Sequence, residues 1–350
     1  MKVVKKFIVF LIVFLISSTI GCGDSAPETG SSVIESVFSD TSSIKTESQE
    51  PICEHEFEVT VLSEPLPLMD GEQKKVCTKC SETVTEPIPA TKTLKVLAVG
   101  NSFSIDGMEY LWDILHDAGY EEIVLGNLYI GGCSVDKHWK NIQSDEAAYV
   151  YLKNTNGSWV KTPDIALSFA INDYDWDIVT LQQSSGSSGR ASTYTNIDNV
   201  FGYIKEQQPD ANIFWHMTWA YQQDTPSTAF ANYDSDQLTM YNAIVSAIQE
   251  RVVSNKYVSG IIPSGTAIQN MRTTYVGDTM TRDGNHLSYS HGRYTAAMTW
   301  FAALTGGDVE AITWVPTKYP ELADDLPVIR QSVKDAIKLP LAVTQQAQEK

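Results

Sequence analysis

The sequence predicts an α/β fold, a doubly wound five-stranded parallel sheet preceded by a small β unit. Three observations carry that expectation. Beyond Thr93, short apolar runs of strand length alternate with longer stretches whose apolar residues recur at helical spacing. Residues 51–92 show a different pattern, with Cys and His in close pairs among alternating segments. The chain has 350 residues, 43% hydrophobic and 10% aromatic, enough for one sizeable core with smaller pieces attached.

The first 21 residues read as an export signal. Lys2, Lys5 and Lys6 precede an apolar run over 7–16, and small and polar residues lead to Gly21 and Cys22. A membrane span needs about 20 apolar residues, more than this run offers. The ending Thr19-Ile20-Gly21-Cys22 resembles a bacterial lipobox, with Thr19 where Leu is usual. That resemblance implies acylation of Cys22 and an extracytoplasmic protein held to the membrane by lipid; plain secretion is the alternative. Residues 22–50 are rich in Ser, Thr, Glu and Gly without periodicity, so they bury too little apolar area to offset their ordering entropy. They are expected to be a tether.

The formal net charge is −18, and no basic run occurs beyond the first six residues. Phosphate recognition relies on clustered Lys and Arg, so nucleic acid and anionic membrane surfaces are excluded as partners. A neutral or weakly polar substrate fits, with the membrane reached only through the lipid anchor.

Residues 51–92 carry Cys53-x-His55 and Cys77-x-x-Cys80, with strand-like alternation over 56–62 and 82–88 and a turn at Met69-Asp70-Gly71. Two close ligand pairs on either side of a hairpin suit a tetrahedral metal site. The unit resembles zinc-ribbon-like modules of bacterial surface proteins, which implies a structural zinc held by Cys53, His55, Cys77 and Cys80. A disulfide is the competing reading in an exported chain, and the histidine argues against it. Four protein ligands would fill the metal's coordination sphere, so no catalytic cofactor is expected.

From residue 93 to 310 the elements follow in order. Strands are expected over 94–99, 123–130, 178–181, 213–216 and 258–262, and helices over 108–118, 197–205, 238–252 and 294–304. Right-handed crossovers between such strands give a parallel sheet, with ligands outside the carboxyl ends of the strands. Residues 311–350 read as a C-terminal extension.

The first strand end carries Gly100-Asn101-Ser102-Phe103-Ser104, and the far end carries Asp283-Gly284-Asn285-His286. A carboxylate three residues before a histidine can accept its Nδ1–H and leave Nε2 for a nucleophile. Together the two blocks resemble those of SGNH hydrolases, with Asn101 and Phe103 in place of the usual Asp and Leu. The resemblance implies Ser102 as nucleophile, His286 as base and Asp283 as its orienting acid. It further implies a flavodoxin-like SGNH fold and an oxyanion hole using the backbone of Gly132 or Gly131. The family's third-block Asn is missing, and Gln182 or Gln183 stands where its amide would donate. Residues 94–305 are also similar to a gut-bacterial SGNH-like family with Gly-Asn-Ser-Phe-Ser, His-Met-Thr-Trp and Asp-Gly-x-His-Leu segments, a likeness that implies no particular substrate.

At the same rim, His216, Trp219 and Tyr221 are expected to form a wall on which sugar rings stack, and His138 to line the pocket. The expected activity is a serine esterase working through an acyl-enzyme, most simply on O-acetyl groups of a carbohydrate. Acyl transfer is a related reaction, and a glycan-binding surface lipoprotein without turnover is the rival.

Overall fold

The computed structural model describes residues 53–63, 65 and 70–346. The expected signal sequence, Cys22 and the tether lie outside the described residues, as does Met69 of the expected turn. Described residues from Glu54 onward belong to one compact unit.

The Cys/His region folds as an antiparallel sheet of β1 (Phe57–Ser63), β2 (Gly71–Cys77) and β3 (Thr83–Ile88) in that spatial order. Its register places Phe57 opposite Cys77 and Val76 opposite Thr83, so the chain turns at Cys77 and Cys80 beside the start of β1.

The larger sheet starts with β4 (Thr93–Gly100), whose residues from Val96 onward are buried. It continues through α1 (Ser102–Met108), α2 (Leu111–Asp117), β5 (Glu122–Tyr129) and α3 (Val135–Ser144). An antiparallel hairpin of β6 (Tyr149–Asn154) and β7 (Trp159–Ile165) follows, then α4 (Leu167–Ile171) and β8 (Ile178–Leu181). The chain proceeds through α5 (Ile197–Gln207), β9 (Asn212–His216), α6 (Gln237–Arg251) and β10 (Val258–Ile262). It closes with α7 (Ser264–Arg272), α8 (His291–Thr305) and α9 (Leu322–Lys338).

These strands form one sheet in the order β10-β9-β8-β4-β5-β6-β7. The first five pair in parallel, in the 2-1-3-4-5 order of flavodoxin-like sheets when counted along the chain. The expectation of five parallel strands is therefore corrected to seven strands in a mixed sheet. The added hairpin lacks a strand signature because its outer member is wet: β7 is exposed at Val160 through Asp164 and carries Lys161 and Pro163, as edge strands do. The helix expected over 108–118 is two short helices, the first starting at Ser102. Asn101 starts it there, capping the turn by accepting the Phe103 N–H at 3.0 Å.

Helices α1, α2, α7, α8 and α9 pack among themselves, and α3 packs with α4 and α5. Among the described residues no helix is long and apolar enough to cross a membrane. The parallel strands β4, β8 and β9 end together, and the turns that follow them carry Ser102, Gln182 and Met217.

Candidate active site

Ser102 follows the last residue of β4 by two positions and opens α1. The turn is tight. A Cβ built on Gly100 would lie 2.5 Å from Ser104 Oγ, so only glycine fits. Ser104 donates from its hydroxyl to Asn101 O at 2.7 Å and contacts Asn127 Oδ1 at 3.0 Å, which fastens the turn to β5.

The other half of the site is a closed loop before α8. Thr281 bridges Leu287, and the Arg282 N–H donates to His286 O at 2.9 Å. Inside it, Asp283 Oδ1 accepts the N–H groups of His286 at 2.8 Å and Asn285 at 3.1 Å. Gly284 turns the chain at φ +90°, and a Cβ there would meet Thr225 within 2.8 Å. Asp283 Oδ2 lies 2.7 Å from His286 Nδ1, and His286 Nε2 lies 2.9 Å from Ser102 Oγ. Burial raises the Asp283 carboxyl, but the backbone N–H and imidazole of His286 and the N–H of Asn285 outweigh it and hold it below the usual aspartate range. The carboxylate thus accepts a hydrogen bond from Nδ1–H, which keeps the proton on Nδ1 and leaves Nε2 as the acceptor facing Ser102, a tautomer assigned from this network. Phe103 stacks on Trp219 at 4.2 Å and meets the His286 ring edge-on at 5.7 Å.

Three residues that sequence reasoning passed over hold these halves together. Asp106, one turn along α1 from Ser102 and fully buried, accepts the Leu287 N–H at 2.8 Å. It also pairs with Arg282 Nη1 at 3.1 Å and Arg293 Nη2 at 2.6 Å. Arg293 is in turn paired with Glu109 at 3.0 Å. The available signal was a lone Asp between apolar Ile105 and Met108, and an Arg next to Asp283.

The oxyanion expectation divides. Gly132 has φ +61°, and a Cβ there would meet nothing within 4 Å, so its backbone lies open. The glutamines are corrected. Gln182 Nε2 donates to Asn101 Oδ1 at 2.7 Å, and Gln183 Nε2 donates to Thr193 O at 2.8 Å. Gln183 Oε1 accepts the N–H of Val135 and of Ser184. Both amides are buried and engaged, Gln182 by the ends of β4 and β9 and Gln183 by the start of α3 and the turn at Thr193, so neither replaces the missing Asn.

The expected sugar-stacking rim is corrected too, since His138, His216 and Trp219 are all buried. Trp219 spends its face on Phe103 and donates its Nε1–H to Asn285 O at 2.8 Å. His138 lies 2.9 Å from the Tyr149 hydroxyl and 3.6 Å from the Cys133 thiol. Burial drives His138 and His216 down to about 3 and the Cys133 thiol up to about 12, so all three are neutral. Tyr221, also buried, bonds Ser185 Oγ at 2.8 Å. A side chain near a strand end or on a helix can face core or solvent, and these face the core.

Away from the triad residues, one ligand atom from each of Cys53, His55, Cys77 and Cys80 lies within 4.8 Å of the others, a cluster able to hold a metal ion. His55 turns Nδ1 toward Cys80 Sγ at 3.4 Å and Nε2 toward Glu82 at 3.2 Å. A carboxylate behind a histidine is the usual support for a metal-bound imidazole.

A crystal structure of a DUF4886 family protein from Bacteroides uniformis ATCC 8492 is 39% identical, with a TM-score of 0.67 over 72% of this chain and 98% of that one. A candidate SGNH hydrolase from Slackia heliotrinireducens is 18% identical, with a TM-score of 0.38 over 61% and 100%. A candidate GDSL-like lipase from Parabacteroides merdae ATCC 43184 is 13% identical, with a TM-score of 0.40 over 62% and 99%. Among proteins of curated function none matches the chain. Residues 95–333 match the family described as "Domain of unknown function (DUF4886)", and the chain belongs to that family.

Proposed function

We propose that this protein is an exported serine esterase of SGNH type, lipid-anchored through Cys22, with Ser102 as nucleophile. One observation carries the chemistry: an unbroken run from Asp283 through His286 to Ser102 Oγ at 2.7 and 2.9 Å. Ser102 attacks the ester carbonyl as His286 Nε2 takes its proton. Collapse of the tetrahedral intermediate expels the alcohol, which receives that proton. Water, activated by the same nitrogen, then cleaves the acyl-enzyme and regenerates Ser102. The backbone N–H groups of Ser102 and Gly132 hold the developing oxyanion; one such donor is typically worth about 10²–10³ in rate.

The substrate we infer is an O-acetyl group on a carbohydrate. Support comes from the net charge of −18, which disfavours anionic substrates, and from the expected surface location. With Trp219 and His216 buried, recognition of the sugar falls to other residues. The mature protein should hydrolyse p-nitrophenyl acetate and release acetate from acetylated xylan, while Ser102→Ala does neither; equal rates for the two proteins would overturn the assignment. Acyl transfer differs from hydrolysis in its product, an acylated acceptor in place of free acetate.

A second reading, a glycan-binding lipoprotein without turnover, draws on Gln182 and Gln183 being bonded elsewhere, which leaves no third oxyanion donor from that segment. Fluorophosphonate labelling of Ser102 separates the two, because it needs an activated serine.

For the small sheet we propose one structural zinc per chain, held by Cys53, His55, Cys77 and Cys80, with Glu82 orienting His55. Hydrogen bonds from Cys80, His55 and Lys79 outweigh the burial of Cys77 and draw its thiol down to about 6, which favours the thiolate a metal needs. Elemental analysis should find about one zinc per chain. Absence of metal together with oxidised, paired cysteines in mass spectrometry would favour a disulfide instead.

A further inference from the structure

We propose that Asn101, Gln182 and His216 form a buried positioning relay that sets the oxyanion hole, by tying the turn of Ser102 to the loop of Gly132. The proposal rests on Ser102 being the nucleophile and adds how its oxyanion donors are held. The three side chains come from the carboxyl ends of three adjacent strands, β4, β8 and β9. Each is 1% exposed, and Ser264 at the end of the relay is fully buried. Polar atoms so buried must satisfy one another.

Only one arrangement of hydrogens does so. The Phe103 N–H can only donate, and it meets Asn101 Oδ1 at 3.0 Å. The amide of Asn101 is thereby oriented, and its Nδ2–H reaches Cys133 O at 3.1 Å, which can only accept. Because Asn101 Oδ1 is an acceptor, the Gln182 atom 2.7 Å from it must be Nε2, the donor. Gln182 Oε1 therefore faces His216 Nδ1 at 2.7 Å, and that nitrogen must carry the proton. His216 Nε2 is left bare and accepts the Ser264 hydroxyl at 3.2 Å. Burial keeps His216 neutral, so this order persists through the working pH range.

Both anchor points adjoin the proposed oxyanion donors. Phe103 N follows Ser102 in the chain, and Cys133 O belongs to the residue after Gly132. One side chain, Asn101, holds both, and Gln182 and His216 hold Asn101. Among the described residues neither the Ser102 nor the Gly132 N–H has an acceptor, as donors reserved for a substrate oxygen require. An apolar residue at 182 could fill space, but it would release Asn101 Oδ1 from one of its two donors and free the amide to turn.

The test uses p-nitrophenyl acetate and the full-length protein. Gln182→Leu and His216→Leu should each lower kcat by about 10²-fold with KM within about threefold, since a misplaced donor is felt in the transition state. His216→Asn, whose amide N–H stands where the ring Nδ1–H stood, should recover kcat to within about tenfold of wild type, a rescue that space-filling alone does not explain. Independently, long-range ¹H–¹⁵N NMR of the wild type should show His216 protonated at Nδ1 between pH 5 and 8. Wild-type kcat in folded Gln182→Leu, no difference between the Asn and Leu variants at 216, or a proton on Nε2 of His216 would each overturn the relay. The serine-esterase reading fails separately, through an active Ser102→Ala.

Discussion

At Asp283 the two carboxylate oxygens serve different partners. Oδ1 closes the loop through two backbone N–H groups, and Oδ2 takes the imidazole Nδ1. Asp283→Asn keeps the first set and reverses the second: its amide N–H would face Nδ1 and drive the ring proton to Nε2, against Ser102. Turnover of p-nitrophenyl acetate should fall by about 10³–10⁴-fold, with loss under tenfold counting against the triad. Because the Asp283 carboxyl is held below the usual aspartate range, its charge supports the loop at neutral pH, and that support fades only as pH falls through and below that range. The three side chains that the structure brings together here, Ser102, His286 and Asp283, were legible because they stand in short blocks whose spacing has a chemical reason. Gln182, His216 and Trp219 were misplaced for the opposite reason. Each sits at or just beyond a strand end, where the chain pattern does not say which way a side chain turns.

At the scale of elements, the buried Asp106 cluster joins α1, the loop over 281–287 and α8. Asp106→Asn would retain a partner for the Leu287 N–H while leaving Arg282 and Arg293 without their shared carboxylate. Breaking such a buried pair costs about 3–5 kcal/mol, so the denaturant midpoint should drop clearly; an unchanged midpoint would show that the cluster is replaceable. Strands over 178–181 and 258–262 stand where expected; the first is buried throughout and leaves a continuous hydrophobic segment, while the second lies at the sheet edge and buries only Ile262. The hairpin of β6 and β7 was illegible because its outer strand is polar, and α7 because it is buried on all sides and shows little amphipathic contrast.

For the whole molecule, acid should be destabilising well before the carboxylates titrate. His138 and His216 are held neutral in the core at about 3, whereas unfolding returns them to about 6.5. The unfolded chain therefore binds more protons below pH 6.5, and stability is lost as pH falls through that window toward 3. Melting temperatures between pH 7 and 4.5 should decline, and less steeply in His216→Asn; parallel slopes would mean His216 is not a source of the loss. The sequence by itself determined the alternation of strands and helices, the two catalytic-type blocks and the Cys/His pairs, because each is written in local periodicity or spacing. Tertiary structure alone decided that the sheet is extended by an antiparallel hairpin, that Ser102 and His286, 184 residues apart, meet at 2.9 Å, and that the glutamines and the aromatic residues turn inward. Those outcomes depend on which buried polar groups find partners across strand ends, and that choice exists only once the strands are side by side.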